Sequence, residues 1–142
     1  MKTNKVISEL KRIAARNDGL LQPETVVVEA RSCGSPLHDS FTWDDRIAGH
    51  QYRLEQARHL IRVSVEIIGE TQERANVFVS LTTDRERKCG GYRIMTDVLT
   101  DKQMRAQMLG DALAELENFR EKYSRLKELA SVFAAIRKVR KK

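Results

Sequence analysis

From Leu109 onward the apolar residues fall at 109, 112, 116, 119, 123, 126, 130 and 133, as Leu, Ala, Leu, Phe, Tyr, Leu, Ala and Phe. The steps alternate three and four, the period of a helix that turns one seam toward a neighbour over about four heptads. No other pattern in the chain restricts its fold so tightly. Thr100 followed by Gln103 has the spacing of a capping box, which sets the start. The spacing therefore predicts one long helix over 100–139, in a stretch that would rise about 60 Å if helical to its end. A helix that outruns a small domain pairs with another copy, so the expectation is a homo-oligomer, most simply a dimer. Its interface would use Leu109, Leu116, Phe119, Tyr123, Leu126 and Phe133, with Leu113, Leu129 and Ile136 widening the stripe. The run "RKVRKK" closes this segment with Arg137, Lys138, Arg140, Lys141 and Lys142, which suits the negative end of a helix dipole and could also meet phosphates.

The first third reads as helices. Val6, Ile7, Leu10, Ile13 and Ala14 share a stripe over 3–17, with Lys5, Lys11, Arg12 and Arg16 mostly off it and Gly19 as a stop. In "LQPETVVVEARS" the triple valine argues for a strand, but Pro23 and Glu24 form a helix start and Val27, Ala30 and Arg31 keep helical spacing. Two helices joined by a glycine-containing turn have a helix-turn-helix outline. Its second helix is poor in base-reading side chains: Gln22, Thr25 and Arg31 against Glu24 and Glu29. Asp44 is predicted to open a third helix to Arg62, with Ile47, Leu54, Ala57 and Ile61 inside.

At Val63 the period changes. Val63, Val65 and Ile67, then Val77, Val79 and Leu81, alternate as two strands of an antiparallel hairpin around "GETQER". "DRERKCGGYRIM" follows, a basic glycine-containing loop leading to a short strand at 92–95. The fold class is mainly α with a small antiparallel β-hairpin: a helical module (1–62), a hairpin with a basic loop (63–99) and an oligomerisation helix (100–142).

Three constellations invite a chemical reading. Ser35, His38, Asp39, Asp44 and Asp45 lie together in "SPLHDSFTWDD", but nearness in sequence is not the geometry of a nucleophile and its base, and no Gly-x-Ser-x-Gly elbow is present. Helix capping by Ser35 and Asp44, with Leu37, Phe41 and Trp43 as a core plug, explains them better. Cys33, Cys89, His38, His50 and His59 lack the close ligand pairs of a zinc site. "KCGGYR" lacks the lysine and setting of a phosphate loop. Arg85, Arg87, Lys88 and Arg93 around its glycines could instead hold a nucleic-acid backbone, with Tyr92 able to stack. No cofactor, metal or catalytic residue is predicted.

The residues "GLLQPETVVVEAR", "SPLHDSFTWDD", "AGHQYRLEQARHLIR", "GGYR" and "ALAELENFREKYSRLKELASVFAAI" together resemble a set of small proteins encoded in tailed phages and prophages. The resemblance spans nearly the whole chain. It implies a phage or prophage setting, in a bacterial cytoplasm or packed in a virion, and transfers no catalytic residue.

Charge then narrows the partner. The 142 residues carry a net +6, with 32% charged and 41% hydrophobic residues, a soluble composition that permits nucleic acid or an acidic protein surface. No run is apolar enough for a membrane span, "MKTNKVISELKR" is no signal peptide, and two cysteines give no disulfide framework. The expected function is nucleic-acid binding by a non-enzymatic oligomer through Lys5, Lys11, Arg12, Arg16, the basic loop and the C-terminal run. The alternative is a virion component or a binder of a host or phage protein, with the coiled coil and hairpin as working surfaces.

Overall fold

Alternating burial and exposure separate the chain into α1 (Lys2–Arg16), β1 (Leu20–Leu21), α2 (Pro23–Ala30), α3 (His50–Arg62), β2 (Val65–Ile68), β3 (Glu73–Asn76), β4 (Phe78–Val79), α4 (Thr82–Arg85), β5 (Tyr92–Ile94), α5 (Met95–Thr100), α6 (Lys102–Tyr123) and α7 (Ala130–Arg140). These come from a computed structural model, which describes residues 2–70 and 72–141. The protein is mainly α with small antiparallel sheets. It forms two compact units, Met1–Thr100 and Asp101–Lys142.

In the first unit α1 buries Leu10, Ile13 and Ala14 completely. Asp18 and Gly19 take positive φ, and the Gly19 amide reaches back to the Ala14 carbonyl at 2.8 Å, closing the helix with a left-handed cap. The valine run is helical: Val26, Val27 and Ala30 are buried and Val28 is 65% exposed, a helical and not an alternating pattern. Pro23 begins it where no amide bond is lost. The two helices are joined through β1, so the outline is helix–strand–helix.

Two boundaries differ from the sequence expectation. Helix α3 begins at His50, not Asp44. The Asp44 carbonyl accepts from the amides of Ile47 and Ala48, and its carboxylate from the amide of Arg46, which closes a separate turn and leaves Ile47 74% exposed. Buried Arg53 pins that turn: it donates to the Ala48 carbonyl at 2.7 Å and pairs with Asp45 at 2.7 Å. The hairpin also differs in its second strand. β2 pairs with β3, Val65 opposite Asn76, whereas 78–79 turns away to pair with β5. Val77 and Leu81 go into the core, each 1% exposed, so their alternation records burial on either side of β4. That sheet has the order β1-β5-β4, all antiparallel, with β5 central. Its Phe78 and Ile94 join Leu21, Leu54, Ala57 and Ile61 in one core.

The second unit corrects the long helix. Its first helix ends at Tyr123, and its N-cap is Asp101, whose carboxylate accepts from the Met104 amide at 2.8 Å; Thr100 belongs to α5. Twenty-two residues give a rise of about 33 Å. Leu126 leaves helical geometry at ψ 103, one 3-10 turn follows at Lys127–Leu129, and α7 then packs on α6. The ring of Phe133 meets that of Phe119 at 6.4 Å, and Arg140 pairs with Glu117 at 3.0 Å. Two members of the supposed seam, Phe119 and Phe133, thus face each other inside one chain. No glycine or proline marks the break; tertiary pairing overrides a good local helix pattern.

Candidate nucleic-acid interface

The basic loop is built on a buried ion pair. Leu81, 1% exposed, anchors the single turn of α4, and Asp84, also 1% exposed, points inward. Arg93 from the central strand β5 meets that carboxylate with both ends of its fork, Nε at 2.7 Å and Nη2 at 2.9 Å. Such a bidentate pair fixes the loop's base with direction as well as attraction. Arg87 adds a third charge 3.6 Å from Asp84. Arg93 is therefore structural: its side chain is 13% exposed and committed to the core pair.

Above this base the chain turns at Gly90, whose φ is +62, a conformation open to glycine. Gly91 lies so close to β1 that a Cβ there would stand 2.6 Å from a Leu20 methyl carbon. The Gly90 carbonyl accepts from Gln22 at 3.1 Å and the Gly91 carbonyl from the Ser80 hydroxyl at 2.8 Å. Arg85 donates to the Ser80 carbonyl and the Thr82 hydroxyl. The result is a depression of about 500 Å³ lined by Pro23, Arg58, Arg85, Arg87, Lys88 and Tyr92 among others. Among the described residues no carboxylate lines it. Three other clefts carry Glu66, Glu55 or Asp39.

Arg58 was not in the sequence prediction. It stands on the solvated stripe of α3, where it pairs with Glu55, and nothing local in the sequence says that this stripe passes the glycine loop. At the edge of the loop the Cys89 thiol lies 3.5 Å from Glu24. That carboxylate accepts from the thiol and holds its pKa above the ordinary value, so Cys89 is a poor nucleophile. Glu24 also lies 3.8 Å from His50.

The remaining predicted cations are distributed elsewhere. On α1, Lys11 pairs with Glu66 at 3.4 Å, Arg12 with Glu9 and Glu29, and Arg16 with Glu29 at 2.6 Å, so most of this charge is balanced inside the fold. Lys5 is exposed beside a groove that includes Asp39. On α2, Gln22 is spent on Gly90 and Arg31 lies 5.5 Å from the Trp43 ring centre, which leaves little to read bases. In the second unit Arg137 and Lys138 are exposed, Arg140 is paired with Glu117, Lys141 caps α7 and Lys142 lies outside the described residues. Of the expected interface residues, Leu109, Leu116, Phe119 and Leu126 are exposed, Tyr123 is half-buried and Phe133 is buried.

The Ser35–Asp45 cluster is occupied by structure. His38 Nδ1 faces the Ala30 carbonyl at 2.9 Å and its ring stacks on Trp43 at 5.2 Å. Ser35 accepts from the Leu37 amide, and the Asp44 carboxyl is held below its ordinary pKa by the Arg46 guanidinium and amide. Trp43 donates to the His38 carbonyl at 3.1 Å. Among the described residues no group of three or more His, Cys, Asp or Glu could hold a metal ion, and no helix is long and apolar enough to cross a membrane. Compared with protein-family models, curated proteins and solved structures, the chain matches none.

Proposed function

We propose that this is a non-enzymatic nucleic-acid-binding protein of a phage or prophage, gripping phosphates through the 85–91 loop and working as an oligomer through its second unit. One observation carries the reading: Arg58, Arg85, Arg87 and Lys88 converge on a depression without a carboxylate, while the nearest buried acid is already neutralised by Arg93. Lys and Arg placed so release counterions when they meet a phosphate backbone. The C-terminal basic run adds charge, and pairing of two copies would double both contributions by raising the effective concentration of the second site. Fluorescence anisotropy with single-stranded and duplex DNA at two salt concentrations tests it. Binding that weakens steeply with salt is expected; no binding at low salt, or binding insensitive to salt, refutes it.

A second reading, a protein-interaction or virion factor, is favoured by a different observation. Leu109, Leu116, Phe119 and Leu126 remain between 39% and 53% exposed on the second unit. Single exposed apolar residues are ordinary, but Leu109 and Leu116 are seven apart on one helix and Phe119 continues their face. Light scattering of the wild type against Leu109→Asp with Leu116→Asp separates the roles. Loss of an oligomer supports self-association; an unchanged mass with loss of a partner from purified virions supports the second reading.

A further inference from the structure

We propose that the depression beside Gly90 and Gly91 is a pocket for the phosphomonoester at the end of a nucleic-acid strand, an inference that rests on the nucleic-acid reading above. Three elements supply its cations: α3 gives Arg58, α4 gives Arg85, and the loop gives Arg87 and Lys88. All four line one depression of about 500 Å³. An internal phosphodiester brings one negative charge, whereas a phosphomonoester brings about −1.5 to −2 and three acceptor oxygens. Several cations around one point match the second better than the first.

The acceptors that would repel such a group each have a partner within the fold. Asp84 is held by Arg93, the Gly90 carbonyl by Gln22, the Gly91 carbonyl by Ser80, and the Ser80 carbonyl by Arg85. Glu55 is engaged with Arg58, and Glu24 with the Cys89 thiol at the edge. Arg87 and Lys88 are exposed, Arg87 with its Nε 3.6 Å from Asp84, and half-buried Tyr92 lines the same depression and offers a ring for the terminal base to stack.

The test uses the full chain and one single-stranded oligonucleotide carrying either a 5′-phosphate or a 5′-hydroxyl, with inorganic phosphate and pyrophosphate as competitors. The phosphorylated strand should bind about tenfold tighter, the worth of one charge-assisted contact in a partly desolvated site. Arg87→Gln with Lys88→Gln should erase that preference while the melting temperature stays unchanged, and Arg58→Gln should reduce it. Pyrophosphate should compete with the phosphorylated strand at lower concentration than phosphate does. Equal affinity for the two strands, with the usual salt dependence, overturns the pocket and leaves the nucleic-acid reading standing. Binding of neither strand at low salt overturns both. A preference that survives the double variant places the end elsewhere, and pyrophosphate binding without strand binding assigns the pocket to small phosphates.

Discussion

The Met1–Thr100 unit and the Asp101–Lys142 unit solve the same problem differently. The first encloses a core drawn from helices and sheet alike, with Leu10, Ile13, Leu21, Leu37 and Ile61 almost or wholly buried. The second is a two-helix hairpin in which Phe133 and Ile136 are the buried residues of α7 and none is buried on α6. One unit is held by packing; the other by a few rings and an ion pair. Forty-two residues bury little surface, so the second unit is expected to be the less stable of the two.

The largest effect should come from the first unit. Asp84→Ala leaves Arg93 charged and largely enclosed without its partner, which should cost about 3–5 kcal/mol. Urea denaturation followed by fluorescence of Trp43, the only tryptophan, reads this unit directly; a loss under about 1 kcal/mol would mean that the pair is not the base of the loop. Ile61→Ala should cost about 2–5 kcal/mol and Leu109→Ala less than about 0.5 in the monomer. Similar losses at the two sites would break the contrast between packed and unpacked units. Phe133→Ala should lower the helix signal of circular dichroism at elevated temperature while leaving Trp43 fluorescence unmoved; a parallel shift of both probes would show one cooperative body.

The smallest effect is electrostatic. The Arg120 hydrogen bond, with the charges of Arg120 and Arg140, holds the Glu117 carboxyl below its ordinary value. A carboxylate whose folded pKa is depressed stabilises above the unfolded value, near 4.5, and loses that contribution as pH falls through the folded one. Glu117→Gln should therefore lower the hairpin melting temperature at neutral pH, leave it close to the wild-type value well below pH 4.5, and so flatten its drop on acidification. An unchanged acid profile would show that the Glu117 ion pairs with Arg120 and Arg140 do not hold the hairpin.

Helices α1 and α2 were legible because a stripe of apolar residues, a proline start and a glycine stop agree in one local window. The basic loop was legible as a cluster, since Arg85, Arg87 and Lys88 are near neighbours in sequence. Three features depended on distant partners and left no local mark. Arg53 reads as an ordinary helix arginine until Asp45 and the Ala48 carbonyl are brought to it. Arg93 reads as a surface cation until β5 becomes the central strand beside Asp84. The break at 124–129 carries no glycine or proline, so a heptad pattern continued through residues that fold back on themselves. The pattern was real, but it recorded contacts within the hairpin as well as any contact between copies.

The most direct measurement sets the two units against each other in the same binding assay. Salt titrations of single-stranded DNA binding compare wild type, Arg87→Gln with Lys88→Gln in the first unit, and Arg137→Gln with Lys138→Gln in the second. The account predicts that the loop variant loses more affinity and that its plot of log affinity against log salt is shallower by about 0.7 for each phosphate contact removed. Wild-type affinity and slope in the loop variant, with the loss confined to the second unit, would contradict it.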